Sequence, residues 1–284
     1  MKDRIKRSHM HLIIRIVISI TALTLTTPLF AVEIEPSRIE ISLPSGKVSS
    51  TLIKVTNWAD CTVKINVKSD TYRYILTDGI IPPPEGKKKL PSCQNWLTFE
   101  PDEFKLSSKA SIYIRCIIDV PENVKKEHVA SILFDEEGLI TTYEKFSNQP
   151  GNITLQVIPR FTIPTYITIK GEEIISAEIS DIKILEGPTI GTMKTEITLH
   201  NKGTVHLRPS GSLIFMDSEG NISKTLPIGE CLPIFPNYKE KIPVYYHDLL
   251  QPGNYTAVCT INIGGGKLIQ KKAPFTVTEH YELE

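Results

Sequence analysis

The 284-residue sequence is poor in the signatures that announce catalysis, and each gap closes a class of function. No G-x-S-x-G elbow is present. The one glycine-rich run, Gly264 to Lys267, lacks the spacing and the closing Ser or Thr of a phosphate loop and reads as a hairpin turn. Five cysteines occur without any CxxC pair, which argues against a redox motif or a zinc knuckle. His200 and His206 stand an even number of residues apart, but a turn signal lies between them and no third ligand is apparent. Neither an enzyme, a cofactor, a metal nor a small-molecule substrate is expected. Basic and acidic residues balance at 32 each with no basic face, which argues against nucleic acid as a partner.

Long apolar runs are also missing, with one exception at the start. Lys2, Arg4, Lys6, Arg7 and Arg15 precede an apolar run of about 15 residues, Ile16 to Phe30, and then the small residue Ala31. That run is shorter than the roughly 20 residues a spanning helix needs, and it contains four threonines and a proline. The layout is that of a secretory signal peptide over residues 1–31. Its removal takes away five basic residues and one acidic, leaving 27 against 31 and a net charge of −4. The mature chain is expected outside the cytoplasm, in the periplasm, where disulfides are chemically permitted. Cys231 with Cys259 is the candidate bridge. Of Cys61, Cys93 and Cys116, at least one must stay free or pair between molecules. Cys61 and Cys116 fall on the apolar parity of strands, so buried thiols are the alternative.

Helical periodicity is nearly absent past residue 31. Short alternating runs separated by Gly, Pro, Asn and Asp read as an all-β chain. Strands are expected at about 32–43, 50–57, 61–75, 95–106, 110–120, 128–136 and 151–167. A second set is expected at about 174–185, 192–201, 211–217, 222–229, 239–246, 254–263 and 267–278. The two sets predict tandem immunoglobulin-like β-sandwiches, one domain over 32–168 and another over 169–284. The loop 77–93, with Lys87 to Lys89, reads as a solvated crossover. The stretch 151–167, GNITLQVIPRFTIPTYI, places apolar residues at every odd position from Ile153 to Ile163, with Arg160 among the even ones. Large apolar side chains left in water forgo roughly 1.5–3 kcal/mol each, so that row must face a core, its own or a partner's.

Several of these segments, in their order, resemble the first domain of the periplasmic chaperones of the chaperone–usher pilus pathway, the PapD-like family. They are VEIEPSRIEISL with Arg38, VTNWADCTVKINV, WLTFEPDEFKL followed by ASIYIRCIIDVP with Arg115, KEHVASILF with Glu127, and NITLQVIPRFTIP with Arg160. The likeness covers roughly residues 32–167. The second half reads instead like a generic bacterial surface immunoglobulin-like module. The resemblance implies a chaperone that binds an incomplete pilus-type or surface subunit by donor-strand addition, with an outer-membrane usher as a further partner. It also implies that Arg38 and Arg160 anchor the subunit's C-terminal carboxylate, while Ile153, Leu155 and Val157 form the donated row. Guanidinium groups suit that task, since they bind carboxylates with short, often bidentate bonds. The alternative is an extracytoplasmic adhesion or scaffold protein with no assembly role.

Overall fold

Alternation in the sequence becomes alternation of burial in the structure, a computed structural model that describes residues 32–72, 74–76, 79–81, 90–137, 140–143, 153–156, 159–189, 192–248 and 250–279. The expected signal segment (residues 1–31), Lys87 to Lys89 and Val157 lie outside the described residues. The first half contains β1 (Val32–Glu35), β2 (Ile39–Leu43), β3 (Val48–Asn57), β4 (Val63–Thr71), β5 (Tyr74–Leu76), β6 (Gly79–Ile81) and β7 (Leu97–Glu100). It continues with β8 (Glu103–Leu106), β9 (Ser111–Asp119), β10 (Glu127–Glu137), β11 (Ile140–Tyr143), β12 (Ile153–Gln156) and β13 (Arg160–Ile169). The second half contains β14 (Ala177–Glu186), β15 (Met193–Asn201), β16 (Ser210–Asp217), β17 (Ile222–Ile228), β18 (Lys239–Tyr246), β19 (Gly253–Asn262) and β20 (Leu268–Val277).

These strands form two sandwiches. In the first, the sheet β1-β3-β9-β7 faces the sheet β2-β13-β10-β4-β8 over a core that includes Ile53, Ile114, Ile118, Ile132, Phe134 and Ile167. In the second, β14-β15-β18 faces β17-β16-β19-β20 over Ile197, Leu199, Leu213, Phe215 and Ile261. Val129 and Tyr166, from strands of the first half, pack in the second core cluster.

Two long expected strands are each divided at a proline, and in both cases the chain changes sheet. Pro36 separates β1 from β2, and Pro101 separates β7 from β8. Proline has no N–H to give a ladder, so a run that contains one is a natural place to leave a sheet. The expected strand at 151–167 is likewise two strands, β12 and β13. Their ladders are out of step. Asp135 pairs with Arg160 and Ile140 with Gln156, an advance of five residues on one strand against four on the other.

One device recurs in both halves. Asn57, fully buried at the end of β3, sends its side-chain amide to the carbonyls of Cys61, Leu106 and Ser107 at 2.8, 3.0 and 3.1 Å. Its Oδ1 accepts the N–H of Ala59 at 2.9 Å. Asn201, fully buried at the end of β15, repeats the pattern with the carbonyls of Val205 and Ile234 at 2.8 and 2.7 Å and the N–H of Gly203 at 2.8 Å. Each asparagine closes its own turn four residues on and ties it to a distant segment. Gly203 is needed there because any side chain would collide with the Ile174 carbonyl.

Truncating either asparagine strands two or three buried carbonyls at once. Asn57→Ala and Asn201→Ala are each expected to lower stability by roughly 2–4 kcal/mol. Urea denaturation at constant m-value checks this, and a change below about 0.5 kcal/mol would show the clamps to be idle.

Candidate functional site

The site begins with an edge. β13 is paired on one side along its length with antiparallel β10, from Asp135↔Arg160 to Glu127↔Thr168. On its other side, parallel β2 covers only Thr165 to Ile169. The hydrogen bonds fix which residues face which way. Glu136 N–H donates to the Pro159 carbonyl and Ile169 N–H to the Lys126 carbonyl, so odd positions bond toward β10. Lys170 N–H donates to the Leu43 carbonyl, so even positions turn toward β2. Among the described residues, Arg160 and Thr162 therefore point their backbone groups at a side that no strand covers. Pro159 affects the β10 side alone, so the outward edge loses no donor to it. Pro164, at the fork where β2 begins, offers only its carbonyl.

The side chains of β13 divide by the same parity. Ile163, Ile167 and Ile169 are buried in the first core, and Phe161 packs against it. Of the two cores open to the apolar row, its own or a partner's, these residues fill this protein's own. The upper row begins in β12, where Ile153 and Leu155 pair with Tyr143 and Thr141 of β11.

The two arginines are not brought together. Arg38 lies one residue before Ile39, which is level with Thr165, so it stands at the fork. Arg160 is four residues further up the edge, roughly 13 Å in extended chain. Each guanidinium also has its own acid. Arg38 is 2.9 Å from Glu230 and 3.1 Å from Glu40, with all three side chains substantially exposed. Arg160 is bidentate on its ladder partner Asp135, at 2.5 and 2.9 Å, and Lys68 reaches the same carboxylate at 2.6 Å. That carboxylate is largely buried, and Arg160 first, with Lys68 after, holds it below its usual range against the opposing effect of burial. Arg160 is thus a cross-strand tie, while Arg38 is held by exposed partners that exchange easily with water.

A second polar cluster sits where the halves meet. The backbone N–H of His206 donates to Glu127 Oε2 at 2.9 Å, and its Nδ1 lies 2.7 Å from Glu127 Oε1. The imidazole stacks on Tyr166 at 4.2 Å. Arg208 donates to Glu40 at 2.9 Å and to the Tyr166 hydroxyl at 3.2 Å, and that hydroxyl is 2.9 Å from the hydroxyl of Tyr72. A cleft of about 370 Å³ opens beside them, lined by Glu40, Glu127, Thr168, Glu173, His206 and Arg208. This cluster escaped the sequence reading. Its only signal was His206 and Arg208 flanking Leu207 after a turn, together with a tyrosine, Tyr166, on the polar parity of its strand.

His200 stays on β15 opposite Lys239, so it shares no site with His206. Among the described residues no group of three His, Cys, Asp or Glu side chains is arranged to hold a metal ion. The expected bridge between Cys231 and Cys259 is not formed: both are free, and Cys259 lies fully buried in the second core. Cys61 is free and exposed in the turn after β3, so the alternative of a buried thiol does not hold for it. Burial pushes the thiols of Cys93, Cys116 and Cys259 up to about 12, which leaves them unreactive.

No protein-family model and no curated protein matches the chain. Among solved structures it is similar to the YadV chaperone, at 14% identity and a TM-score of 0.44, over 86% of this chain and 100% of that one. It is similar also to the class 5 fimbriae chaperone CfaA, at 17% identity and 0.42, over 85% and 98%. A chain of the Salmonella enterica complex of SafA pilin with the SafB chaperone matches at 12% identity and 0.41, over 87% and 99%.

The two arginines should separate on stability. Arg160→Ala leaves a buried carboxylate with Lys68 alone and is expected to cost about 1–2 kcal/mol. Arg38→Ala breaks only exposed pairs and should stay within about 0.5 kcal/mol. Urea melts of the two variants check the order, and equal losses would contradict it.

Proposed function

We propose that the chain is an extracytoplasmic, chaperone-like protein that binds an incomplete protein subunit by strand addition along the outer edge of β12 and β13. The observation that carries this reading is the pair of outward backbone positions at Arg160 and Thr162, without a strand partner among the described residues just above the point where β2 begins. An added strand completes such a ladder with backbone bonds, and alternate side chains set its register. The site is in line with β2, which already lies parallel to β13. A client strand in that direction brings its C-terminus down to the fork, beside Arg38.

The two-arginine anchor implied by the family resemblance reduces here to Arg38, which exchanges Glu230 for the client carboxylate. Arg160 keeps the hairpin rigid through Asp135. Ile153, Leu155 and Val157 are the row donated to the client's unfinished core, a pilin-like or surface subunit, with an outer-membrane usher as the next partner. Residues 32–168 and 169–284 act as the two domains, and the signal segment delivers both to the periplasm. A scaffold with no assembly role is the competing reading, and it predicts no strand capture at all.

A ten-residue peptide of alternating Val and Thr, made as the free acid and as the C-terminal amide, tests this by fluorescence anisotropy. The acid is expected to bind at least about tenfold tighter, equivalent to about 1.4 kcal/mol. Arg38→Ala should erase that ratio. Thr162→Pro, which removes an outward N–H, and Leu155→Lys should weaken both peptides alike. Absence of binding by either peptide, or equal binding of acid and amide to the unaltered chain, sinks the proposal and leaves the scaffold.

A further inference from the structure

His206 is one of the residues that join the halves, and the geometry around that ring is demanding. Its Nδ1 is 2.7 Å from Oε1 of Glu127 on β10, and its Nε2 is 3.5 Å from Oε1 of Glu40 on β2. Both acids belong to the first half and the histidine to the second. A neutral imidazole carries one N–H and one lone pair, so it can satisfy only one of two flanking carboxylates. Whichever proton leaves, a lone pair is then aimed at a carboxylate oxygen. Only the imidazolium fits both sides.

We propose that the contact between the two halves is a proton-operated latch, closed by the His206 imidazolium and loosened by the neutral ring. Among the described residues, the polar and titrating groups around the ring are Glu127, Glu40, Tyr166, Tyr72 and Arg208, with Glu173 lining the same cleft. Glu127 is buried, with Thr168 as its remaining side-chain donor at 3.2 Å. Glu40, which also receives Arg208 and Arg38, is held down to about 2 chiefly by its bond to His206, with Arg208 adding to it against burial. From β13 the Tyr166 phenol faces the ring, with Tyr72 behind it, and burial pushes both phenols up. Arg208 is a permanent cation. Phe235, the remaining ring nearby, carries no titrating proton.

Burial pushes the His206 proton off, but the bonds to Glu127 and then Glu40 outweigh it and raise the pKa. A raised histidine stabilises the closed form fully below the unfolded value of about 6.5 and loses that contribution as pH climbs through the folded one. The latch therefore weakens on the alkaline side of about 6.5. This reading does not depend on strand addition.

The full chain can be followed by NMR of the His206 ring and by small-angle X-ray scattering between pH 5 and 9. The ring is expected to titrate above about 6.5, and the radius of gyration to rise across the same interval. His206→Gln should abolish that rise, and Glu127→Gln should move the ring's midpoint down. A ring that titrates at or below about 6.5, a radius constant across the interval, or a Glu127→Gln midpoint equal to that of the unaltered chain would overturn the latch. So would a His206→Gln variant that keeps the full rise.

Discussion

A backbone amide in a sheet needs a partner, and this architecture follows from where those partners run out. In the second half three of the four edge strands, β17, β18 and β20, are blunted. The bond from Asn201 N–H to the Tyr238 carbonyl sets the parity of β18, and it places Pro243 with Lys239 and Lys241 on the outer side. β20 likewise turns Pro274 and Lys272 outward, and β17 contains Pro227. Prolines and lysines on an edge discourage further pairing. The upper part of β13 differs, because Arg160 and Thr162 keep outward N–H groups and β2 begins too late to cover them. Among the described residues, that open stretch is the place on which the strand addition proposed above rests.

The same strand connects that edge to the junction. β13 starts at Arg160, pinned to Asp135, and near its other end supplies Tyr166, which stacks on His206 and bonds Tyr72 and Arg208. Its odd residues belong to the first core while Tyr166 packs into the second cluster. A load on the outer edge and a change in the angle between the halves therefore act on one continuous piece of backbone. Arg38 extends the link, since it joins β2's Glu40 to Glu230 of the second half.

Much of the fold was legible because alternation is a local property. Strand limits such as Met193–Asn201 and Lys239–Tyr246 follow from the period of two, and the glycine turns at 217–221 and 262–267 follow from positive φ at Gly220 and Gly264. The Asn57 turn could be read in VTNWADC. Its twin at Asn201 was visible as HNKGTV but carried no weight without the carbonyl of Ile234, which lies 33 residues on. Cys61 was misjudged because parity ran through a turn, where it has no meaning.

By itself, then, the order of residues determined the two β-sandwiches and the presence of a greasy row bearing one arginine, and it set the expectation of export. Only the folded chain decided which arginine stands at the fork, that Arg160 belongs to Asp135, that Phe161 and Ile163 fill an internal core, and that His206 lies between two acids. The physical reason is range. Side-chain periodicity acts over two residues, whereas Glu127 and His206 are 79 apart in sequence and meet only after the sheets have chosen their registers.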